Sequence, residues 1–70
     1  MKQVKIISDY IKLGQFLKFE AIIDSGAQAK EFLEQTKVLV NGNPEDRRGR
    51  KLFKGDIIEI NKIKYEIITE

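Results

Sequence analysis

The segment from Arg47 to Lys54 holds the residues of this chain best suited to binding a charged partner. It contains no acidic residue and five cations: Arg47, Arg48, Arg50, Lys51 and Lys54. In the rest of the chain, eight basic residues face eleven acidic ones. The planar guanidinium of arginine suits phosphate oxygens, and clustered basic charge is typical of nucleic-acid binding. We call residues 47–54 the basic segment; it predicts a phosphate-bearing partner, the alternative being a solvated loop between strands.

A second candidate anion site is the segment Ser25-Gly26-Ala27-Gln28, which has the pattern of a helix start. Ser25 is a favoured cap, and Gln28 three residues later can reach back to the cap amide. The free amides of Gly26, Ala27 and Gln28 and the helix dipole would attract an anion, to which Ser25 could donate its hydroxyl. The alternative for these residues is helix capping alone.

Three lysines fall on the outer faces of the two predicted helices: Lys12, Lys18 and Lys30. Taken singly, each is an ordinary solubility charge. Taken together, they would extend the basic segment into a surface the size of a groove, provided that the fold brings them close to it.

The aromatic residues make up only 9% of the chain. Stacking platforms for single-stranded nucleic acid combine several exposed aromatic side chains with basic ones. We therefore expect Tyr10, Phe53 and Tyr65 to pack in the core or at sheet edges. This expectation favours backbone contacts to a folded nucleic acid over recognition of a single strand.

The composition gives catalysis little support. The chain has no cysteine and no histidine, which removes thiol nucleophiles and the usual general base and metal ligands. Ser8 and Ser25 are the only serines, and the adjacent acids Glu45 and Asp46 fit a solvated turn. Phosphate-binding and dinucleotide-binding glycine patterns are absent. We expect no enzymatic activity, no cofactor and no metal site.

The length and the hydropathy pattern indicate one domain, residues 1–70, of a cytoplasmic protein. The longest uninterrupted apolar runs have three residues, and the N-terminus shows no signal-peptide pattern, so no membrane association is expected. We expect a monomer.

Apolar spacing predicts a short N-terminal strand around Val4 and then two helices. Leu13, Phe16, Leu17 and Ala21 recur at helical intervals, which predicts a first helix of about ten residues. A second stripe predicts a helix from Ser25 to about residue 35; its members are Ala29, Phe32, Leu33 and Thr36.

The remainder of the chain has the pattern of antiparallel strands. A strand over 37–40 precedes the turn Asn41-Gly42, and Pro44 places the returning segment at a sheet edge. A turn over 54–56 leads to strands over 57–60 and 63–68, and the last of these could form an exposed edge. The predicted fold class is α+β, with two packed helices against a small, mostly antiparallel sheet.

At three places these residues resemble the S4 RNA-binding domain family. The run from Ser25 to Gly42, with its Val-Asn-Gly ending, is similar to the centre of the family pattern. Lys12-Leu13-Gly14-Gln15-Phe16-Leu17 is similar to its opening, and Lys54-Gly55-Asp56 with Ile58 and Ile60 is similar to its closing strand. The resemblance covers residues 12–60, to which an N-terminal and a C-terminal strand are added, and is strongest to small stand-alone bacterial members.

The resemblance implies RNA bound across the two helices and the adjoining turn. Gly26 stands where the family usually has arginine, Lys12 replaces the opening arginine, and Glu34 stands where a basic residue is common. The basic segment would compensate and move the cationic centre toward the hairpin. The candidate RNA-binding residues are Lys12, Lys18, Ser25, Gly26, Gln28, Lys30, Asn41, Arg47, Arg48, Arg50, Lys51 and Lys54.

These observations together predict a non-catalytic protein that recognises structured RNA, ribosomal or transfer RNA, through its phosphates and its shape. A role at a ribosomal subunit, in ribosome assembly or in translation quality control, is implied by the resemblance. The alternative is a protein-interaction module whose basic turn docks on an acidic protein surface without touching RNA. Binding to duplex DNA is a third reading, against which stands the absence of an evident recognition helix.

Overall fold

The fold is α+β, as the sequence predicts, and the computed structural model describes all residues from 1 to 70. Strands flank two short helices, and a 3-10 turn (Gly26–Gln28) precedes the second helix. In chain order the elements are β1 (Lys2–Ile6), β2 (Tyr10–Lys12), α1 (Leu13–Phe19), α2 (Ala29–Gln35), β3 (Val38–Val40), β4 (Asn43–Pro44), β5 (Lys51–Phe53), β6 (Ile57–Ile60) and β7 (Ile63–Thr69).

The main sheet has five strands in the order β1-β7-β6-β3-β4. Only the β1–β7 pair is parallel, and the other three pairs are antiparallel. The prediction that the C-terminal strand is an exposed edge is wrong, because β1 pairs with β7 from Lys2 opposite Tyr65 to Ile6 opposite Thr69. The prediction for Pro44 is confirmed: it lies in β4, at the opposite edge of the sheet.

A separate two-stranded ribbon joins β2 to β5, with Ile11 opposite Leu52. The sequence analysis did not predict this pairing, since β2 is only three residues long and runs directly into α1. The ribbon brings the second half of the basic segment beside the start of the first helix.

Two turns carry the backbone geometry that their residues favour. Asn41 and Gly42 both have positive φ, 52° and 83°, which is the conformation of the tight hairpin turn predicted there. Asn61 and Lys62 form a second such turn between β6 and β7, with φ of 51° and 68°. These turns fix the antiparallel register of the β3–β4 and β6–β7 pairs.

Helix α1 ends at Phe19, earlier than predicted, and Ala21 lies outside it with φ of 58°. The amide of Ile22 donates to the carbonyl of Leu17 at 2.9 Å, and the amide of Ala21 donates to that of Lys18 at 3.0 Å. These bonds form the Schellman closure, in which the residue after the helix adopts the left-handed conformation. Glycine usually occupies that position, so the alanine hid the helix end from sequence reasoning.

Helix α2 ends at Gln35 as predicted, but residues 26–28 form a 3-10 turn instead of its first turn. Each α-helix has seven residues, and neither is long and apolar enough to cross a membrane.

The core is one cluster of 15 buried side chains from both helices and from both sheets. Leu13, Phe16 and Leu17 are fully buried, which confirms the apolar stripe of the first helix. The ring of Phe16 meets that of Tyr65 edge-on, with centroids 5.3 Å apart. Leu52, which lies within the basic segment, is also fully buried.

We predict that Ala21→Gly stabilises the protein. Left-handed φ costs alanine about 1–2 kcal/mol, and the greater freedom of glycine in the unfolded chain offsets part of the gain. The expected net gain is about 0.5–1 kcal/mol, or a rise of about 2–8 °C in the midpoint of thermal unfolding. Ala27→Gly is the matched control, because the φ of Ala27 is not positive and glycine brings no relief there. An unchanged or lower midpoint for Ala21→Gly would contradict this account of the helix end.

Candidate nucleic-acid interface

The backbone of the basic segment is hydrogen-bonded to the first turn of α1. The amide of Leu13 donates to the carbonyl of Arg50 at 2.8 Å, and the amide of Gly14 donates to the carbonyl of Arg48 at 2.9 Å. The first amides of a helix have no partner within it, so these carbonyls satisfy two of them. The first half of the basic segment is thus an exposed loop whose backbone is fixed against α1.

Gly14 allows this close approach. A Cβ atom at this position would lie 3.3 Å from Cβ of Arg48, which is tighter than most contacts of this kind, and 3.4 Å from Cβ of Ala29, at the short end of ordinary contact. The absent side chain lets α1, α2 and the basic segment meet at one point. Sequence reasoning missed this role because glycine inside a helix reads only as a local cost in stability.

Glu45 is the anchor of the basic segment, and the prediction of a solvated turn is wrong for it. Only 8% of the residue is exposed. Its Oε2 accepts hydrogen bonds from Nε of Arg47 at 2.9 Å and from the amides of Asp46 and Arg47, both at 3.1 Å. Its Oε1 accepts from Arg47 at 3.0 Å and from Arg50 at 2.8 Å. One buried carboxylate thus holds the start of the segment from both sides.

These contacts change the charge that the basic segment presents. The side-chain hydrogen bond from Arg47, supported by Arg50 and by the Arg47 amide, lowers the pKa of Glu45 to about 2, although burial acts in the opposite direction. The same pairing raises the pKa of Arg47. Two of the five cations therefore share one permanent anion, while 73% of the Arg47 side chain and 33% of that of Arg50 stay exposed.

An open groove of about 360 Å³ lies where α1, the 3-10 turn and the basic segment meet. It brings together four of the predicted site residues: Lys12, Lys18, Gly26 and Arg48. Gly14, Gln15, Ala29 and Gly49 complete its lining, so no acidic side chain faces it. We call it the cationic groove.

The three cations of the groove are unpaired. The ion pairs of the protein join Lys2 to Glu20 and Glu45 to its two arginines, and none of them involves Lys12, Lys18 or Arg48. These charges are free to meet an anion.

The other predicted site residues lie outside the lining of this groove. Gln28 folds back so that its Oε1 accepts from the amides of Asp24 at 2.6 Å and Ser25 at 3.2 Å, as the capping pattern predicts. The amide of Gln28 donates to the carbonyl of Ser25 at 3.1 Å and is not free for an anion. Lys30 and Lys54 are exposed, on α2 and on the turn after β5.

Asn41 has a structural role. Its Oδ1 accepts from the amide of Ile57 at 2.9 Å, and its Nδ2 donates to Asp56 at 3.0 Å. Asp56 in turn accepts from the amide of Phe53 at 2.8 Å. The Val-Asn-Gly and Gly-Asp patterns noted in the sequence are thus the two sides of one hydrogen-bonded turn network.

The aromatic residues differ in their surroundings. Tyr65 is buried, as expected. Tyr10 and Phe53 form a pair on the ribbon with centroids 5.8 Å apart, and Nζ of Lys51 lies 4.8 Å from the centre of the Tyr10 ring. Phe53 nevertheless stays 48% exposed, and Phe19, which the sequence analysis did not single out, is 61% exposed.

The structure places no group of three or more Asp or Glu side chains where they could hold a metal ion. Its cationic groove instead suits a multiply charged anion.

Comparison with known proteins shows the family of the chain. The S4 domain family matches residues 4–68, and the chain belongs to that family. It is also similar to a "Probable ribosome maturation protein RlbA" of Bacillus subtilis (strain 168). The two are 53% identical over 57 residues, which cover 81% of this chain and 80% of the relative.

We predict that Glu45 makes the protein sensitive to acid. Its pKa lies below the ordinary value of 4.5 in the folded state, so its contribution is complete above about pH 4.5 and is lost as the pH falls toward about 2. The full shift corresponds to about 3 kcal/mol, and we expect a loss of about 1–2 kcal/mol because water screens the exposed Arg47. Urea unfolding at a series of pH values measures it.

Glu45→Gln should lower the free energy of unfolding at neutral pH by a similar amount and flatten its dependence on pH in the acid range. Glu34→Gln is the matched control, because Glu34 is exposed and forms no ion pair. If Glu45→Gln kept the stability and the acid sensitivity of the parent, Glu45 would not be the anchor of the basic segment.

Proposed function

We propose that this protein is a non-catalytic RNA-binding protein that recognises structured ribosomal RNA through phosphates and shape and acts in ribosome maturation in the cytoplasm. The observation that carries the proposal is the cationic groove, in which three unpaired cations meet with no acidic side chain. Membership of the S4 domain family and the printed name of the Bacillus relative support it.

The groove is suited to an RNA backbone for two reasons. Lys12 lies in β2, Lys18 in α1 and Arg48 in the basic segment, so three separate parts of the chain bring positive charge to the groove. A Cβ atom on Gly26 or Gly49 would meet nothing within 4 Å, so the groove is open at these glycines and a backbone can approach closely.

Arg48 also accounts for the missing arginine at position 26. The resemblance puts a basic side chain there, and this chain has Gly26 instead. Arg48 and Gly26 line the same groove, so the basic segment supplies the positive charge that position 26 lacks. The RNA surface therefore keeps its place at the helices and gains charge from the hairpin side.

The remaining candidates have supporting roles in this proposal. Arg47 and Arg50 offer an outer, partly neutralised charge, since Glu45 already holds them. Exposed charges at Lys30, Lys51 and Lys54 would steer RNA toward the groove over longer range. Ser25, Gln28 and Asn41 would act through the backbone geometry that they fix.

We predict that Lys12→Ala, Lys18→Ala and Arg48→Ala each weaken binding to a folded fragment of ribosomal RNA. Each should reduce the slope of log affinity against log salt by about one, because one phosphate contact and its counterion are lost. Arg47→Ala should reduce the slope by less. Filter binding or fluorescence anisotropy over a salt series measures the slopes, with melting curves to confirm folding.

Lys64→Ala is the matched control, since Lys64 is an exposed lysine of β7 that does not line the groove. Equal slopes for all variants would contradict the assignment of the groove. Transfer RNA and B-form DNA serve as competing ligands, and preference for ribosomal RNA is the expected result. Weak binding to every nucleic acid, with a ribosomal partner retained after ribonuclease treatment, would favour docking on a protein.

A further inference from the structure

A second groove, of about 470 Å³, adjoins the cationic groove. Its lining is Ser8, Tyr10, Ile11, Gln15, Lys18 and Phe19. Gln15 and Lys18 line both grooves, so the two are continuous along the outer face of α1. The cationic groove is bordered by glycines and charged side chains, whereas the second one has two aromatic rings.

Phe19 is the unusual residue of this surface. It stands at the end of α1 and is 61% exposed, while Phe16 on the same helix is fully buried. Phe19 is absent from the buried core cluster and from the partly buried side chains packed against that cluster. A single exposed apolar side chain is common, but Phe19 lines one groove together with Tyr10 and Lys18, which suits a ligand that has both an apolar face and a negative charge.

Tyr10, which lines the same groove, packs against two neighbouring side chains. Phe53 lies against it at 5.8 Å between ring centroids, and Nζ of Lys51 lies 4.8 Å from the ring centre. An aromatic ring that is already fixed by its neighbours loses little freedom when a ligand stacks on it. The groove therefore has one fixed and one exposed aromatic ring.

We propose that this second groove binds an unpaired base of the RNA whose phosphates occupy the cationic groove. The inference rests on the proposed function and deepens it: the partner would be an RNA helix that ends in, or is interrupted by, an unpaired nucleotide. Bases stack on aromatic side chains whatever their identity, because each has a π face.

Gln15 and Lys18, which line both grooves, favour RNA over an apolar peptide as the ligand. Lys18 at the junction of the grooves would neutralise the phosphate that links a paired nucleotide to the unpaired one. The Oε1 of Gln15 accepts from the amide of Lys12 at 3.3 Å, which leaves the side-chain Nε2 of Gln15 available to donate to a base edge or to a phosphate. A peptide would need no cation there, and an acidic partner would gain nothing from the two rings.

The test uses Phe19→Trp in the full chain, because the protein has no tryptophan and the substituted residue would be the single indole emitter. The probes are a short RNA duplex with a few unpaired adenosines at one end, the same RNA with abasic residues in the overhang, and the blunt duplex. We expect the first RNA to quench the indole emission strongly at saturation, and the other two to bind with little quenching. Equal quenching by all three would overturn the proposal.

Phe19→Ala gives the matching affinity measurement. It should weaken binding of the adenosine overhang by about tenfold and leave the abasic and blunt RNAs unchanged, because only stacking on a base is lost. Ile63→Ala is the control, since Ile63 is an exposed apolar residue, 48% accessible, that lines neither groove. If Phe19→Ala changed the affinity for all three RNAs by the same factor relative to the parent, the base site would be overturned. Failure of the parent itself to bind the blunt duplex in a salt-dependent way would instead count against the cationic groove.

Discussion

The two hydrogen bonds between the basic segment and the first turn of α1 determine the geometry of the whole candidate site. They join the amides of Leu13 and Gly14 to the carbonyls of Arg50 and Arg48, at 2.8 and 2.9 Å. Because backbone atoms make these contacts, the side chain of Arg48 remains free while its position is fixed. Gly14 makes the contact possible by keeping a Cβ atom out of the junction with Arg48 and Ala29. Gly14, Ala29 and Arg48 all line the cationic groove, so the junction forms part of its wall.

Glu45 stabilises the same segment and neutralises part of its positive charge. The buried carboxylate accepts from two guanidinium groups and two amides, so its own burial is compensated, and its removal would leave two arginines without their partner. The segment thus presents fewer free cations than its composition suggests, but it presents them from a fixed backbone. For recognition of a folded RNA, fixed charges favour a matching arrangement of phosphates over any polyanion of equal charge.

Local patterns predicted several local features correctly. The Asn41-Gly42 turn, the edge position of Pro44 and the apolar stripes of both helices follow from backbone preference and periodicity, which a sequence displays directly. The roles of Glu45, Gly14 and Phe19 depend on residues that are distant in the chain or on a side chain left out of the core. The end of α1 could not be predicted, because the left-handed position after the helix is occupied by Ala21 and not by the usual glycine. The parallel β1–β7 pair joins opposite ends of the chain, where no turn residue signals the contact. The basic segment was found from its charge, but its pairing with Glu45 was not.

The most direct test of the account is a map of the RNA-binding surface by NMR. Titration of the isotope-labelled protein with a folded ribosomal RNA fragment should shift the backbone amides of Lys12, Lys18, Gly26, Arg48 and Gly49, which line the cationic groove. The chemical shifts of the amides in the Asn61–Lys62 turn, which lies outside that groove, should stay unchanged. Shifts centred on the Asn61–Lys62 turn, with the amides of the groove unchanged, would contradict the account.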